Sequence, residues 1–272
     1  SGRLAMATDQ QGLCICDGLG SPVQAIAPDH ALFKHTTAMT FVDDVSLLVC
    51  VGSSVHDGQN WQRDLLTGGR SGSVWRVNTV SGDAQPIAQH LAYPNAIALG
   101  SDGTYIVSES WEKSLIKLSP DGKRLGQLLE DLPAYPGRLS PSTRGGYWLC
   151  AFAPRNQLIE FVLREPAYRR TMMEEVDPSL WIAPALRSGQ SVLEPMQGGA
   201  LKQMGILKPW APTRSYGLVI ELSEAFVTLQ SLHSRAGGSR HGMTSAIEHQ
   251  GMLWATSKGG DALVCCPPHS QA

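Results

Sequence analysis

The chain has 272 residues, 42% of them hydrophobic and 17% charged, which is enough apolar content to bury a substantial core and reads as soluble protein. With 22 Lys+Arg against 24 Asp+Glu and a net charge of −2, it lacks the basic excess that binding through phosphates requires, so nucleic acid is excluded as a partner. No apolar run approaches the roughly 20 residues that cross a bilayer, and Ser1 to Ala5 show no signal-peptide pattern.

In chain order, short alternating apolar runs are separated by turn residues. Leu4-Ala-Met-Ala7 opens the first group and Ala38-Met-Thr-Phe41 the second. Asn95-Ala-Ile-Ala98 opens a third, followed by Thr104 to Ser110 after Asp102-Gly103, and by Ser114 to Leu118 before Pro120-Asp121-Gly122, which read as hairpin strands. Arg138-Leu139 and Met243-Thr-Ser-Ala246 open the last two groups. Between them, Asp177 to Pro209 mixes helix-forming residues with Pro178, Pro184, Pro195 and Gly198-Gly199, and predicts a partly helical, irregular insertion. The strand Tyr216 to Leu222 then resumes the sheet pattern.

Where undisturbed, the repeat runs about 40 residues, the length of a four-stranded blade that needs neighbours to cover its faces. The expected fold is therefore an all-β propeller, forming a single domain over 1–272 with five blade openings visible. A ring left open exposes strand edges. Terminal segments sharing a blade, a blade upstream of Ser1, or five blades alone would each close it.

The six cysteines, Cys14, Cys16, Cys50, Cys150, Cys265 and Cys266, lack zinc-ribbon spacing, and most of them read as buried thiols. Phosphate-loop, zinc-protease and nucleophile-elbow motifs are absent. Ser110-Trp-Glu-Lys113 matches S-x-x-K, but it follows a strand and lacks the companion motifs.

In a propeller the blade openings converge on the central tunnel, which places Ala38, Asn95, Arg138, His241 and Thr244 there as candidates. Asn95 offers a neutral oxygen to a hard cation such as calcium, or caps a turn after Tyr93-Pro94. Glu109 is a candidate catalytic carboxylate, or a structural partner of backbone or arginine. Arg138 suits an anionic ligand or a carboxylate within the protein. His241 is a candidate acid or base, or a packed core histidine. Trp75, Trp111, Trp148 and Trp254 recur on strands and read as packing between blades.

Tyr93-Pro-Asn-Ala-Ile-Ala-Leu-Gly-Ser-Asp-Gly103, Val107-Ser-Glu-Ser-Trp111 and Leu132-Pro-Ala-Tyr-Pro136 carry a resemblance to the strictosidine synthase-like family, in its branch outside alkaloid-making plants. Supporting phrases are Arg63-Asp-Leu-Leu66, Ser71-Gly-Ser-Val-Trp-Arg76, Gly145-Gly-Tyr-Trp-Leu149, Tyr216-Gly-Leu-Val219 and Ile247 to Trp254. The resemblance implies a six-bladed propeller related to gluconolactonases and paraoxonases, with an additional first blade before Leu4. In the metal-dependent relatives a Ca2+ ion is held by a glutamate of that blade and by Asn or Asp at later openings. Asn95 matches one ligand, whereas Arg138 and Ala38 stand where others are expected. Thr244 stands where the alkaloid-forming enzyme has its glutamate base, and a threonine cannot be that base, so the family's named reaction is not expected.

The sequence and its family resemblance therefore point to a propeller acting on a small molecule by lactone or ester hydrolysis. Glu109 and His241 would supply acid–base chemistry, and Asn95, Arg138 and Thr244 would contact the substrate. A non-catalytic small-ligand-binding or interaction propeller is the alternative.

Overall fold

The computed structural model describes residues 2–27, 30–189, 193–195, 202–203, 206–207, 214–235 and 237–268. They pack as two compact units, 1–131 and 132–272.

The first unit holds three antiparallel sheets that follow one another along the chain. The first comprises β1 (Leu4–Thr8), β2 (Gly12–Cys16) and β3 (Gln24–Ile26). After a 3-10 turn at Ala31–His35 comes the second, with β4 (Thr36–Phe41), β5 (Ser46–Val51), β6 (Gly72–Asn78) and β7 (Ala84–Leu91), and helix α1 (Trp61–Thr67) inserted between β5 and β6. The third comprises β8 (Pro94–Leu99), β9 (Tyr105–Glu109), β10 (Ser114–Leu118) and β11 (Arg124–Leu129).

Strand periodicity explains how these sheets stack. Along β5, Leu47, Val49 and Val51 join Leu13, Ile15, Ile26 and Phe33 of the preceding segment. The alternate residues Leu48 and Cys50 turn the other way and pack with Ile97, Val107 and Ile116 of the third sheet. A strand covered on both faces must be apolar at every position, which is why Leu47 to Val51 shows no polar alternation. Each such buried side chain contributes about 1.5–3 kcal/mol of burial free energy.

In the second unit the fourth sheet begins with β12 (Ala134–Pro141) and β13 (Tyr147–Pro154). The chain then leaves the sheet through α2 (Gln157–Leu163) and α3 (Pro166–Glu175), a 3-10 turn at Pro178–Leu180, and the two-residue strands β14 (Lys202–Gln203) and β15 (Ile206–Leu207). It returns as β16 (Leu218–Leu222) and β17 (Thr228–His233), giving the order β12-β13-β16-β17. The fifth sheet is β18 (Met243–His249), β19 (Met252–Ser257) and β20 (Ala262–Cys266). Trp148, Cys150 and Val219 of the fourth sheet pack against Met243, Ala246, Leu253 and Ala255 of the fifth.

This succession is the all-β propeller fold with five blades, and each predicted opening lies in the first strand of one of them. The predicted helical insertion needs a correction of place. The two helices occupy 157–175, upstream of the predicted 177–209, because Asn156 caps α2 by accepting from the Leu158 and Ile159 N–H groups and Pro166 opens α3. Within 177–209 the described residues contain only the 3-10 turn and the β14–β15 pair, and the positions 190–192, 196–201, 204–205 and 208–209 lie outside the described residues.

Candidate functional site

In the first unit, α1 carries Asp64 inward to 1% exposure. Its Oδ1 accepts a hydrogen bond from Trp111 Nε1 at 2.7 Å, and its Oδ2 lies 3.1 Å from His56 Nδ1. A carboxylate only accepts, so Nδ1 of His56 carries the proton in this bond and, in the neutral ring, Nε2 presents its lone pair. The His56 side chain keeps 19% of its surface exposed, against 2% for Asp64. The carboxylate sits where it does because residue 69 is glycine: a Cβ there would stand 2.1 Å from Asp64 Oδ1.

Aromatic rings flank this pair. Tyr93 stacks on Trp111 with centroids 4.3 Å apart, and Trp61 stacks on the same indole at 6.2 Å. Tyr93 is held in the left-handed region at φ 59°, sparsely populated for a side chain of this size, with its carbonyl taking the Ser110 N–H at 3.1 Å. Burial, reinforced by the charges of Asp64 and Asp57, pushes the Tyr93 phenol well above its ordinary value, so it remains a hydroxyl. Trp111 therefore does more than pack between blades.

Asn95 follows on β8, half-buried, beside Pro94, whose carbonyl accepts from Thr37 Oγ1 at 2.5 Å. Glu109 ends β9 at 1% exposure with both oxygens engaged: Oε1 accepts from the Ala92 N–H at 3.0 Å and Oε2 pairs with Arg124 Nη1 at 3.0 Å. The carboxylate ties the entry of β8 to β11 within one blade.

In the second unit, Arg138 lies exposed on β12, and Thr244 sits at the irregularity that opens β18, its Oγ1 2.9 Å from that of Thr256. The two strands meet closely, since a Cβ on Gly137 would stand 3.4 Å from the Thr244 carbonyl oxygen. His241 is buried to 2% exposure, with Nδ1 at 2.7 Å from Ser215 Oγ and Nε2 at 2.8 Å from the Arg235 carbonyl oxygen.

Among the described residues, no three His, Cys, Asp or Glu side chains cluster as a metal site. Among the described residues, Glu109, the acidic group nearest Asn95 in register, is engaged as above and is not free to join it in a calcium set. The described residues around Asn95 do not make up a Ca2+ set, and no step is routed through the ion. Cys14, Cys16, Cys50 and Cys150 are buried thiols, while Cys265 is exposed and Cys266 half-buried.

The sequence reading missed His56 and Asp64. Their eight-residue separation matches no motif, and only the fold of α1 against Trp111 brings them together. The one available signal was Arg63-Asp-Leu-Leu66 among the phrases that carry the family resemblance.

No protein-family model matches the chain. It is 23% identical over 235 residues to the adipocyte plasma membrane-associated protein of Rattus norvegicus, covering 80% of this chain and 55% of that protein. It is 22% identical over 217 residues to the strictosidine synthase-like 2 protein of Arabidopsis thaliana, covering 75% and 50%. The chain thus spans about half the length of these curated relatives. Among solved structures, a luciferin-regenerating enzyme matches with a TM-score of 0.56 at 12% identity, over 96% of this chain and 68% of that one. A periplasmic gluconolactonase of Pseudomonas aeruginosa matches with a TM-score of 0.46 at 14% identity, over 99% and 68%. The resemblance to strictosidine synthase-like proteins and the propeller fold are both borne out. No helix among the described residues is long and apolar enough to cross a membrane.

Proposed function

We propose that this relative of the strictosidine synthase-like proteins hydrolyses lactones or esters of small, partly apolar molecules, with His56 as general base. The observation that carries the reading is the His56–Asp64 pair: a partly exposed imidazole whose tautomer is set by a buried carboxylate. Such an imidazole is held ready to take a proton, because its orientation is settled before the substrate arrives.

In the proposed reaction, His56 Nε2 takes a proton from water as the water oxygen adds to the substrate carbonyl carbon. The tetrahedral adduct then collapses, and the departing oxygen takes the proton from the imidazolium. Asp64 stabilises that imidazolium through Nδ1–H. Trp61, backed by the buried rings of Trp111 and Tyr93, offers apolar surface, and Asn95 an amide, to the substrate. Glu109 and His241 have other partners in the fold, so neither is assigned the base role in this reaction. Arg138 and Thr244 are proposed as ligand contacts on the second unit.

The test is turnover of a panel of lactones and aryl esters, with His56→Gln and Asp64→Asn compared against wild type. The expected result is hydrolysis that falls by about 100-fold or more in His56→Gln. Turnover unchanged in a folded His56→Gln protein, or none in wild type, would overturn the reading and favour a non-catalytic ligand-binding propeller.

A further inference from the structure

The second unit contains a connected set of side chains that the proposed reaction does not use. The Arg235 carbonyl oxygen can only accept, so Nε2 of His241 carries the proton in that 2.8 Å contact. The neutral ring then presents the Nδ1 lone pair, and the hydroxyl of Ser215 donates to it at 2.7 Å. The Ser215 oxygen is left to accept, and Ser188 Oγ lies 2.6 Å from it. Protons are thus ordered in one direction, from Ser188 to Ser215 to His241.

Burial changes along the same line. His241 is 2% exposed and Ser215 0%, whereas Ser188 is half-exposed. The buried end is held from several sides: the His241 carbonyl takes Ser257 Oγ–H at 2.7 Å and the Gly259 N–H at 3.1 Å, and the Gly242 N–H reaches the Tyr216 carbonyl at 3.0 Å. The segment leading to Ser188 is anchored too. Ala183 and Ala185 are buried, and the Leu186 carbonyl lies so close to Gly242 and Gly259 that a Cβ there would stand 2.8 and 1.8 Å from it. A base fixed in tautomer and position, connected through one hydroxyl to a second at the surface, is an arrangement for activating a nucleophile.

We propose that Ser188 is a nucleophile toward activated acyl and phosphonyl groups, deprotonated through Ser215 by His241. With an ester, Ser188 Oγ bonds to the carbonyl carbon while its proton passes to Ser215 Oγ and the Ser215 proton passes to His241 Nδ1. The bond to the alcohol oxygen then breaks, and the alcohol leaves with the proton returned along the same pair, giving an acyl ester on Ser188. The step makes no use of His56 or Asp64.

The full chain treated with an alkyl fluorophosphonate, in which serine oxygen displaces fluoride at phosphorus, tests the proposal by intact-mass and peptide analysis. The expected result is one adduct, on Ser188, absent in Ser188→Ala. Ser215→Ala and His241→Asn should slow labelling about 100-fold. Ser215→Thr, which returns the hydroxyl, should recover most of the rate, separating proton transfer from a purely structural role. No adduct, an adduct on another residue, or unchanged labelling in folded Ser215→Ala would overturn it.

Discussion

Glu109 is a residue whose two roles, acid–base group or internal tie, could be named from its strand-end position but not separated there. The structure gives its oxygens to the Ala92 N–H and to Arg124. Removing it in Glu109→Ala leaves a buried N–H without its acceptor, at a cost of about 1–3 kcal/mol. A corresponding fall in the urea unfolding midpoint is expected, and a normal midpoint with lost hydrolysis would instead place the carboxylate on the substrate. Glu248 behaves differently. Burial opposes its ionisation, but hydrogen bonds from Thr143, Trp148 and Ser142 outweigh that and hold the carboxyl below its ordinary value of 4.5. A carboxyl lowered on folding contributes stability above its unfolded value, and that contribution is lost as pH falls through the folded one. Thermal melts below pH 4.5 should therefore show a shallower loss of stability in Glu248→Gln than in wild type.

At the scale of elements, the short helix α1 interrupts the second blade between β5 and β6 and delivers Asp64 to Trp111 and His56. It ends at Gly68 in the left-handed conformation, and the next residue, Gly69, has its α-carbon against the carboxylate. Gly69→Ala should displace Asp64, release the His56 tautomer and reduce hydrolysis toward the level of Asp64→Asn. Full activity with a normal melting temperature would mean that the carboxylate has no part in orienting the ring. For α2, the Asn156 side chain caps two N–H groups, and Asn156→Ala should cost about 1 kcal/mol, read from the same unfolding midpoint. Turn residues marked the strands well, as Asp102-Gly103 does before β9. The two helices fall before the irregular Pro- and Gly-rich stretch after 177, because Asn156 caps the apolar segment Gln157 to Leu163 and Pro166 opens the next turn.

For the whole molecule, burial sorts the thiols. Cys50 and Cys150 are fully buried, and that burial raises both, Cys150 to about 12 even though Arg138 opposes the rise. In the native protein an aromatic disulfide reagent should modify Cys265 first and Cys266 more slowly, with Cys14, Cys16, Cys50 and Cys150 reacting only after denaturation. Rapid native modification of Cys50 or Cys150 would contradict the packing of β5 or β13. The sheets themselves were legible because a two-sided blade core imposes a local rule. Alternate side chains of β5 serve two neighbouring sheets, and that leaves an apolar run bounded by turn residues.

By itself the sequence determined the repeat, the strand class and the position of every blade opening, because strand periodicity and turn chemistry act over a few residues. Asn95, Arg138 and Thr244 followed from that register as tunnel candidates. Only the tertiary structure decided which polar groups meet: His56 with Asp64, Ser188 with Ser215 and His241, Glu109 with Ala92 and Arg124. Those partners lie between 8 and 27 residues apart at irregular intervals, joined by helix insertion and close glycine contacts rather than by any period. Hydrogen bonds select by distance and direction in space, and neither quantity is written in the spacing of residues along a chain.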